Sequence, residues 1–367
     1  MDVGRTVPGL NRRGFLTASA AAAAGLGAAG LAAPGAAAAI AAPGHGSPGK
    51  SSSSITDAVL VAFQRGPLVA LGEAHILQEH HDALQTLISD PRLPGVVNDI
   101  VVEFGNAMYQ DTIDKFVLDG EPVNDADLRP VYRNTTQSPG GTWDNPVYEQ
   151  FFRRVRAVNW TLPPSQRVRV LLGDYPIDWS KITTAQQLAA IQPKRDPYVA
   201  ALVERQVLAK GRRALICYGI GHVVLDDAAS GDLVVLIEQK TGVHTYVICD
   251  LVDLPGLPPD PTSLYAKLAS YPRGVVIPAA GTWLGKYPYC GGSMSRLLDA
   301  GLYLGQPAEL TASWPNPAIY LDPAYWAELH RRKDLWPKSL KINLNFYRQQ
   351  QPPRFPLGMA QQVSPDC

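Results

Sequence analysis

Short apolar runs that end at polar residues are the main pattern along this chain. Four of them, at 68–71, 100–102, 168–172 and 214–218, consist mostly of Val, Ile, Leu and Ala. They lack the strict alternation of apolar and polar positions that marks a strand with one solvent-exposed face. Unbroken apolar runs of this length are typical of strands in a parallel sheet that is covered on both sides.

Segments of helical character separate these runs. Apolar residues recur at helical spacing over 78–88, and further helices are predicted at 106–118, 146–158, 184–191, 197–210, 294–298 and 325–332. Additional strands are predicted at 233–237, 244–248 and 274–277. The alternation predicts an α/β fold, a single domain over 55–350 with a central, mostly parallel β-sheet covered by helices on both faces. Its active-site rim is expected at the carboxyl ends of the strands.

The N-terminal region has the form of an export signal. Arg12 and Arg13 precede a long run of Ala, Gly and Leu, and no charged residue follows before Lys50. We therefore predict a twin-arginine signal peptide over 1–42 and a flexible tether over 43–54. A membrane anchor is the alternative, but Pro34 and Pro43 interrupt the run, and Ala and Gly dominate it.

Export by the twin-arginine translocase follows from this assignment. We expect the mature protein in the periplasm, at the cell wall or outside the cell, with no stable membrane span after cleavage. The residues at 351–367 form a Pro-rich C-terminal tail.

Composition excludes several classes of function. The chain has 33 basic and 33 acidic residues, so no net charge attracts it to nucleic acid. Its four cysteines are scattered without a CxxC pair, which disfavours a zinc ribbon or a disulfide scaffold. Because CxxCH is also absent, any haem would be held non-covalently. A covalent serine or cysteine nucleophile is disfavoured, since no GxSxG motif occurs and neither Cys217 nor Cys249 stands at a strand exit.

Ionisable residues follow the ends of the four apolar runs. These candidate catalytic residues are Glu73, His75, Glu103, Asp174 and His222. Because the strands of a parallel sheet share a functional end, we expect all five around one concave pocket. His75 and His222 stand in the same local pattern, GxxH, at the ends of two apolar runs that are far apart in sequence.

This set of side chains suits two chemistries. An imidazole near its ordinary pKa can take a proton from water while a carboxylate holds its tautomer. Alternatively, His75, His222 and Glu103 are ligands for zinc, manganese or iron. We predict that His75 is the general base or a metal ligand, Glu103 its partner, and His222 a second ligand or an oxyanion donor.

Four further residues are predicted to contact a small-molecule or peptide substrate: Arg133, Arg195, Asp178 and His80. The forked donors of an arginine can orient an anion or a carbonyl, and an ordinary salt bridge is the alternative for each. His80 and His81 begin a helix, so either one lines the pocket or both lie on the surface. Asp196, which precedes Pro197, is expected to cap a helix.

The motifs, in this order, resemble one superfamily. They are Leu71-Gly72-Glu73-Ala74-His75, Glu79-His80-His81, a strand ending in Glu103, Arg195-Asp196, and Gly219-Ile220-Gly221-His222. Over 68–222 the chain resembles the Tiki/ChaN/erythromycin-esterase/TraB superfamily, and the ChaN-like branch most of all. The resemblance implies a hydrolase-like pocket with two histidines and at least one glutamate.

Members of that superfamily differ in function. Some cleave peptides with a divalent metal, the erythromycin esterases open a macrolactone by activating water, and ChaN-like proteins hold haem. The resemblance, together with the predicted export signal, therefore implies an exported hydrolase that cleaves an ester, lactone or peptide bond. Its alternative is a haem- or iron-binding protein without turnover.

Overall fold

The structure is a computed structural model that describes residues 52–140, 142–225, 232–252, 254, 262–289 and 292–348. The predicted signal peptide, nearly all of the tether and the C-terminal tail lie outside these ranges. Within them, no helix has the length and apolar character needed to span a membrane.

One eight-stranded sheet organises the molecule. Its strands, in chain order, are β1 (Ser53–Ser54), β2 (Leu68–Glu73), β3 (Asp99–Asn106), β4 (Arg169–Asp174), β5 (Ala214–Gly219), β6 (Thr245–Asp250), β7 (Val275–Pro278) and β10 (Ala300–Tyr303). Their spatial order is β1-β7-β10-β6-β2-β5-β3-β4, and the six strands from β10 to β4 are parallel. β7 is antiparallel to its neighbours β10 and β1. β8 (Pro288–Tyr289) and β9 (Gly292–Ser293) pair separately.

Helices connect the strands and cover the sheet. They are α1 (Ile55–Ala62), α2 (Gln78–Ser89), α3 (Gln110–Asp114), α4 (Asp125–Arg133), α5 (Pro146–Trp160), α6 (Ala185–Ala189), α7 (Arg195–Gln206), α8 (Ile220–Val223), α9 (Leu233–Thr241), α10 (Thr262–Leu268) and α11 (Pro323–Leu335). The predicted helix at 106–118 is a 3₁₀ turn, α3 and a π-helical segment in succession. The one at 294–298 is a 3₁₀ turn.

The central strands explain the apolar runs. β2, β3 and β5 are buried at every position, so both faces of the sheet are covered. α2 packs against α5, and α7 packs against α9. The predicted α/β class and the mostly parallel sheet are confirmed, and the carboxyl ends of β2 to β5 lie side by side.

Three local predictions are corrected. The strand predicted at 233–237 is the first half of α9, which ends at Gly242 in the left-handed conformation with φ of 69°. Because its run of five apolar residues is short, periodicity could not separate a strand from a buried helix. Ser53 and Ser54, assigned to the tether, pair with β7. Asp196 lies inside the first turn of α7 rather than at its cap.

Candidate active site

The carboxyl ends of the parallel strands bring the predicted residues together. Glu73 and Asp174 end their strands, and Glu103 lies near the end of β3. Glu103 is at the centre, because its Oε2 is 3.8 Å from His75 Nε2 and its Oε1 is 3.4 Å from His222 Nε2. Both histidines thus meet one buried carboxylate although they are far apart in sequence.

His75 forms a tight pair with Glu73. The distance from His75 Nδ1 to Glu73 Oε1 is 2.6 Å, and the hydroxyl of Tyr148 donates to the same oxygen at 3.0 Å. Glu73, and not Glu103 as predicted, is therefore the hydrogen-bond partner of His75. Because Nδ1 is held, Nε2 is the nitrogen left for chemistry.

Charge and burial set the ionisation of this pair. Burial alone would raise the pKa of Glu73, but the charges of His81 and His75 and the hydrogen bond from His75 lower it to about 2. Burial would lower the pKa of His75, and the hydrogen bond to Glu73 and the charge of Glu103 raise it above its ordinary value. Glu73 is accordingly an anion that favours the protonated form of the imidazole.

The turn that carries His75 is anchored on both sides. The backbone N–H of Ala74 donates to Asp250 Oδ2 at 2.9 Å, and that of Ile76 donates to the Tyr148 hydroxyl at 3.1 Å. Ile76 has φ of 65°, a left-handed conformation that is strained for a β-branched residue. These buried hydrogen bonds stabilise the strained turn and fix the direction of His75.

A glycine leaves room for the His75 ring. A Cβ on Gly219 would lie 2.7 Å from His75 Cε1 and 3.2 Å from Glu103 Oε2. The N–H of Gly219 also donates to Glu103 Oε2 at 2.7 Å. The first glycine of the second GxxH motif is thus required by the close approach of the imidazole.

Glu103 accepts hydrogen bonds from three directions. Besides Gly219, Gln137 Nε2 donates to Oε1 at 2.7 Å and Arg195 Nη2 donates to Oε1 at 2.8 Å. Burial alone would raise the pKa of Glu103, but His222, His75 and Arg195 bring it well below its ordinary value. Glu103 is therefore an ionised carboxylate that is saturated by N–H donors.

His222 lies between two carboxylates. Its Nδ1 is 2.8 Å from Asp196 Oδ1, and its Nε2 faces Glu103. Burial would lower the pKa of His222, but Asp196 and Glu103 raise it to about 10. At neutral pH His222 is an imidazolium, which suits the predicted oxyanion donor better than a metal ligand. Asp196, predicted to be a helix cap, is instead the partner of this histidine.

Arg195 and Asp174 support Glu103 from one side. Arg195 Nε donates to Asp174 Oδ1 at 3.3 Å, so its guanidinium bridges two carboxylates. Asp174 also accepts from the backbone N–H of Thr136 at 2.6 Å, and burial raises its pKa to about 6. The contacts of Arg195 are those of the salt bridge considered as the alternative to substrate binding.

The predicted metal ligands do not fit a metal as they are arranged. In the part of the chain that the structure describes, no group of three or more His, Cys, Asp or Glu side chains is disposed to hold a metal ion. The oxygens of Glu103 accept N–H donors, the positive Arg195 lies beside them, and both nitrogens of His222 face carboxylates. A ligand needs a free lone pair, and in this set His75 Nε2 offers it.

His80 and His81 both lie behind the site. Each is 1% exposed, so neither is a surface residue. His80 Nδ1 is 2.9 Å from Asp250 Oδ1, and His81 Nε2 is 3.6 Å from Glu73 Oε2. Burial lowers the pKa of His81 to about 3. His80 was predicted to contact substrate, but its position fits support of Glu73 and the turn.

The two remaining candidates lie apart from Glu103. Arg133 Nε is 3.0 Å from Asp144 Oδ1, and Arg133 lines a cleft beside the site. Asp178 bonds Ser180 and pairs with Lys181, with no contact to the carboxylates or histidines of the site. The structure therefore does not bring Asp178 into the site.

Sequence reasoning missed several residues of the site. Asp250 ends the apolar strand β6 just as Glu73 ends β2, so the same rule would have found it. Tyr148 and Gln137 come from a helix and a loop with no motif of their own. No signal in a single sequence singles them out.

The chain was compared with known proteins by sequence and by structure. No protein-family profile matches the sequence, and no curated protein matches it. A solved succinoglycan biosynthesis protein matches with a TM-score of 0.50 at 9% identity, over 68% of this chain and 90% of its own. A mutant of the erythromycin esterase EreC matches with a TM-score of 0.44 at 12% identity, over 68% of this chain and 92% of its own. ChaN of Campylobacter jejuni, solved with cofacial haem, matches with a TM-score of 0.36 at 16% identity, over 54% and 86%.

These likenesses concern the fold. The match to the succinoglycan biosynthesis protein covers two thirds of this chain and shows a shared α/β architecture. An erythromycin esterase and a ChaN are also among the matches, both with TM-scores below 0.5. Since one fold hosts many functions, activity has to be argued from the side chains of this site.

Proposed function

We propose that this protein is an exported hydrolase that activates water at His75 to cleave an ester, lactone or peptide bond. The pair of His75 and Glu73 is the observation that supports this function most directly. Glu73 accepts the Nδ1 proton and leaves Nε2 as the proton acceptor. The His75 side chain is 29% exposed and that of Glu73 is 1% exposed, so water reaches the base but not its carboxylate.

The proposed reaction begins with proton transfer. Nε2 of His75 takes a proton from water while the oxygen of that water bonds to the carbonyl carbon, and the ionised Glu73 stabilises the imidazolium. The bond from this carbon to the leaving oxygen or nitrogen then breaks, and the proton on His75 passes to the leaving group. One water is consumed, the products are an acid and an alcohol or amine, and His75 is neutral again.

The developing oxyanion needs a donor. His222 carries a proton at Nε2 at neutral pH, and its 3.4 Å contact with Glu103 is long for a hydrogen bond. We propose that the oxyanion replaces Glu103 as the acceptor of that proton. Asp196 keeps His222 protonated through its contact with Nδ1.

A panel of esters, lactones and peptides tests the function. We expect turnover of at least one class, and a loss of roughly 10²–10⁴-fold in His75→Ala because a general base contributes about that much. His244, whose side chain is 50% exposed, supplies the matched control His244→Ala with unchanged turnover. Undiminished hydrolysis in a folded His75→Ala variant would contradict the proposal.

The same exposed nitrogen supports one alternative, reversible binding of haem or iron without turnover. An imidazole whose other nitrogen is held by a carboxylate is a suitable iron ligand. A Soret band that forms on titration with haem and disappears in His75→Ala, without hydrolysis of the panel, would favour this alternative.

Export is the second part of the proposal, and it rests on Arg12 and Arg13. We expect replacement of both by Lys to leave the precursor in the cytoplasm, since the paired arginines distinguish this signal. Cell fractionation with an antibody measures it. Normal export of the double variant would show that the pair is incidental.

A further inference from the structure

A cleft lies beside His75. Its lining includes Arg133, Gln137, Trp143, Asp144 and Tyr325. Two of these residues also touch the site: the Trp143 ring is 4.9 Å from the His75 ring, and Gln137 donates to Glu103. The cleft therefore adjoins the proposed general base, where one group of a bound substrate would lie.

Arg133 offers unused donors to this cleft. Its Nε lies 3.0 Å from Asp144 Oδ1, and its guanidinium lies 5.1 Å from the ring centre of Tyr325. Among the described residues, neither terminal nitrogen of Arg133 has a hydrogen-bond partner. The side chain is 15% exposed, so packing holds the guanidinium in place while the cleft leaves it accessible.

Trp143 adds a second donor. The residue is 4% exposed, and its Nε1 is buried without a hydrogen-bond partner among the described residues. An indole N–H is only a donor, and burying it unpaired costs free energy unless something accepts it.

The carboxylate of the cleft is already engaged. Asp144 accepts from the hydroxyl of Tyr320 at 3.0 Å and from that of Tyr325 at 2.8 Å, besides its contact with Arg133. The strong acceptor of the cleft is thus occupied, while the terminal nitrogens of Arg133 have no hydrogen-bond partner among the described residues.

We propose that this cleft binds a carboxylate of the substrate, so that the hydrolysed compound is an acidic ester, lactone or peptide. The inference rests on the proposed function. A carboxylate matches the two parallel N–H donors of a guanidinium and accepts from an indole N–H as well. Since Asp144 neutralises the charge of Arg133, these directed hydrogen bonds, and not a net positive field, select the anion.

Two esters with acyl chains of equal length test the proposal: mono-4-nitrophenyl glutarate, which is anionic, and 4-nitrophenyl pentanoate, which is neutral. We expect wild-type kcat/KM to favour the anionic ester by about tenfold or more, as charge-assisted hydrogen bonds allow. Arg133→Gln should reduce that ratio about tenfold. Arg129, on the same helix with a side chain 48% exposed, supplies the control Arg129→Gln with an unchanged ratio.

Trp143→Phe provides a second variant in case Arg133→Gln leaves Asp144 too poorly paired to fold. It keeps the aromatic wall and removes the N–H, so the ratio should fall by a smaller factor. Equal kcat/KM for the two esters in the wild type would overturn the proposal, and so would an unchanged ratio in both variants.

A binding measurement separates this inference from the proposed hydrolysis. If neither ester is cleaved, calorimetry with monomethyl glutarate still reports on the cleft of the intact protein. Heat of binding that is lost in Arg133→Gln supports the carboxylate site although the hydrolase proposal fails. Absence of binding to the wild type overturns it.

Discussion

The neighbours of His75 determine what its imidazole can do. Glu73 fixes the tautomer, Tyr148 fixes Glu73, and Gly219 leaves space beside Cε1 and Nε2. Each contact is made by a different strand or helix, so the ring direction depends on several elements at once. Small changes beside the ring should therefore matter as much as loss of the ring itself.

Gly219→Ala tests this directly. The backbone at Gly219 has φ of −55°, which alanine adopts freely, so the added methyl acts by its contacts with His75 and Glu103. We expect kcat/KM to fall roughly 10²-fold, as a displacement of about 1 Å can cause. A methyl group on Gly221 would meet no neighbouring atom within 4 Å, so Gly221→Ala is the matched control. Equal activities of the two folded variants would contradict the role of Gly219.

The pH profile of kcat/KM reports the protonation states of His75 and His222. The neutral form of His75 is the base, and its pKa is raised above the ordinary 6.5. Activity should therefore rise with pH through a value above 6.5 and decline near pH 10, where His222 loses its proton. Glu73→Gln removes the anion that favours the imidazolium and should move the rising limb to lower pH. A rising limb at or below 6.5 in the wild type would contradict the assignment.

At the scale of elements, α2 and β6 together hold the turn after β2. Asp250 at the end of β6 accepts from the Ala74 N–H with one oxygen and contacts His80 Nδ1 with the other. Asp250 is therefore a positioning residue, which acts on His75 through the backbone of the turn. Through these contacts α2 and β6 control the geometry of a base that neither of them carries.

Asp250→Asn should expose this role. An amide has one accepting oxygen, so either Ala74 or His80 loses its acceptor. We expect kcat to fall about tenfold or more with KM little changed and with the rising limb of the pH profile shifted, because the His75–Glu73 contact loosens. Asp299, which accepts from the N–H of Val247 in the same strand, supplies the control Asp299→Asn. Loss of stability alone, with an unshifted pH profile, would show Asp250 to be merely structural.

At the scale of the whole molecule, the buried ionisable groups of the site make the stability of the fold depend on pH. A carboxyl group with a lowered pKa stabilises the folded state above its unfolded pKa, and this contribution is lost as the pH falls. For Glu73 that window runs from 4.5 to about 2. The pKa of His81 is lowered from 6.5 to about 3, so the unfolded chain takes up a proton at His81 at a higher pH than the folded protein does. Protonation of His81 therefore also decreases the free energy of unfolding as the pH falls.

Urea unfolding as a function of pH measures this linkage. The free energy of unfolding should decrease as the pH falls from about 4.5 to 2, because at higher pH the raised pKa of Asp174 opposes the effect of His81. Glu73→Gln should make the decrease shallower below pH 4.5, since that variant cannot take up the proton. Glu204, whose side chain is 49% exposed, supplies the control Glu204→Gln with the wild-type slope. Identical slopes for all three proteins would contradict the assignment.

The sequence by itself determined the strands and the chemistry at their ends. Unbroken apolar runs require burial on both faces, so β2, β3 and β5 were predictable, and so were the ionisable residues at the shared end of the sheet. This rule placed Glu73, Glu103 and Asp174 together. It depends only on local patterns and on a general property of parallel sheets.

Pairing within the site was decided only by the tertiary structure. Which carboxylate reaches His75, and that Asp196 faces His222 rather than capping a helix, depends on distances between segments that no local pattern encodes. The short apolar run at 233–237 became helical for the same reason, because neighbouring segments settle what periodicity leaves open. Tyr148 and the Arg133 cleft arise from α5 and α4 packing beside the sheet, so only the folded chain reveals them.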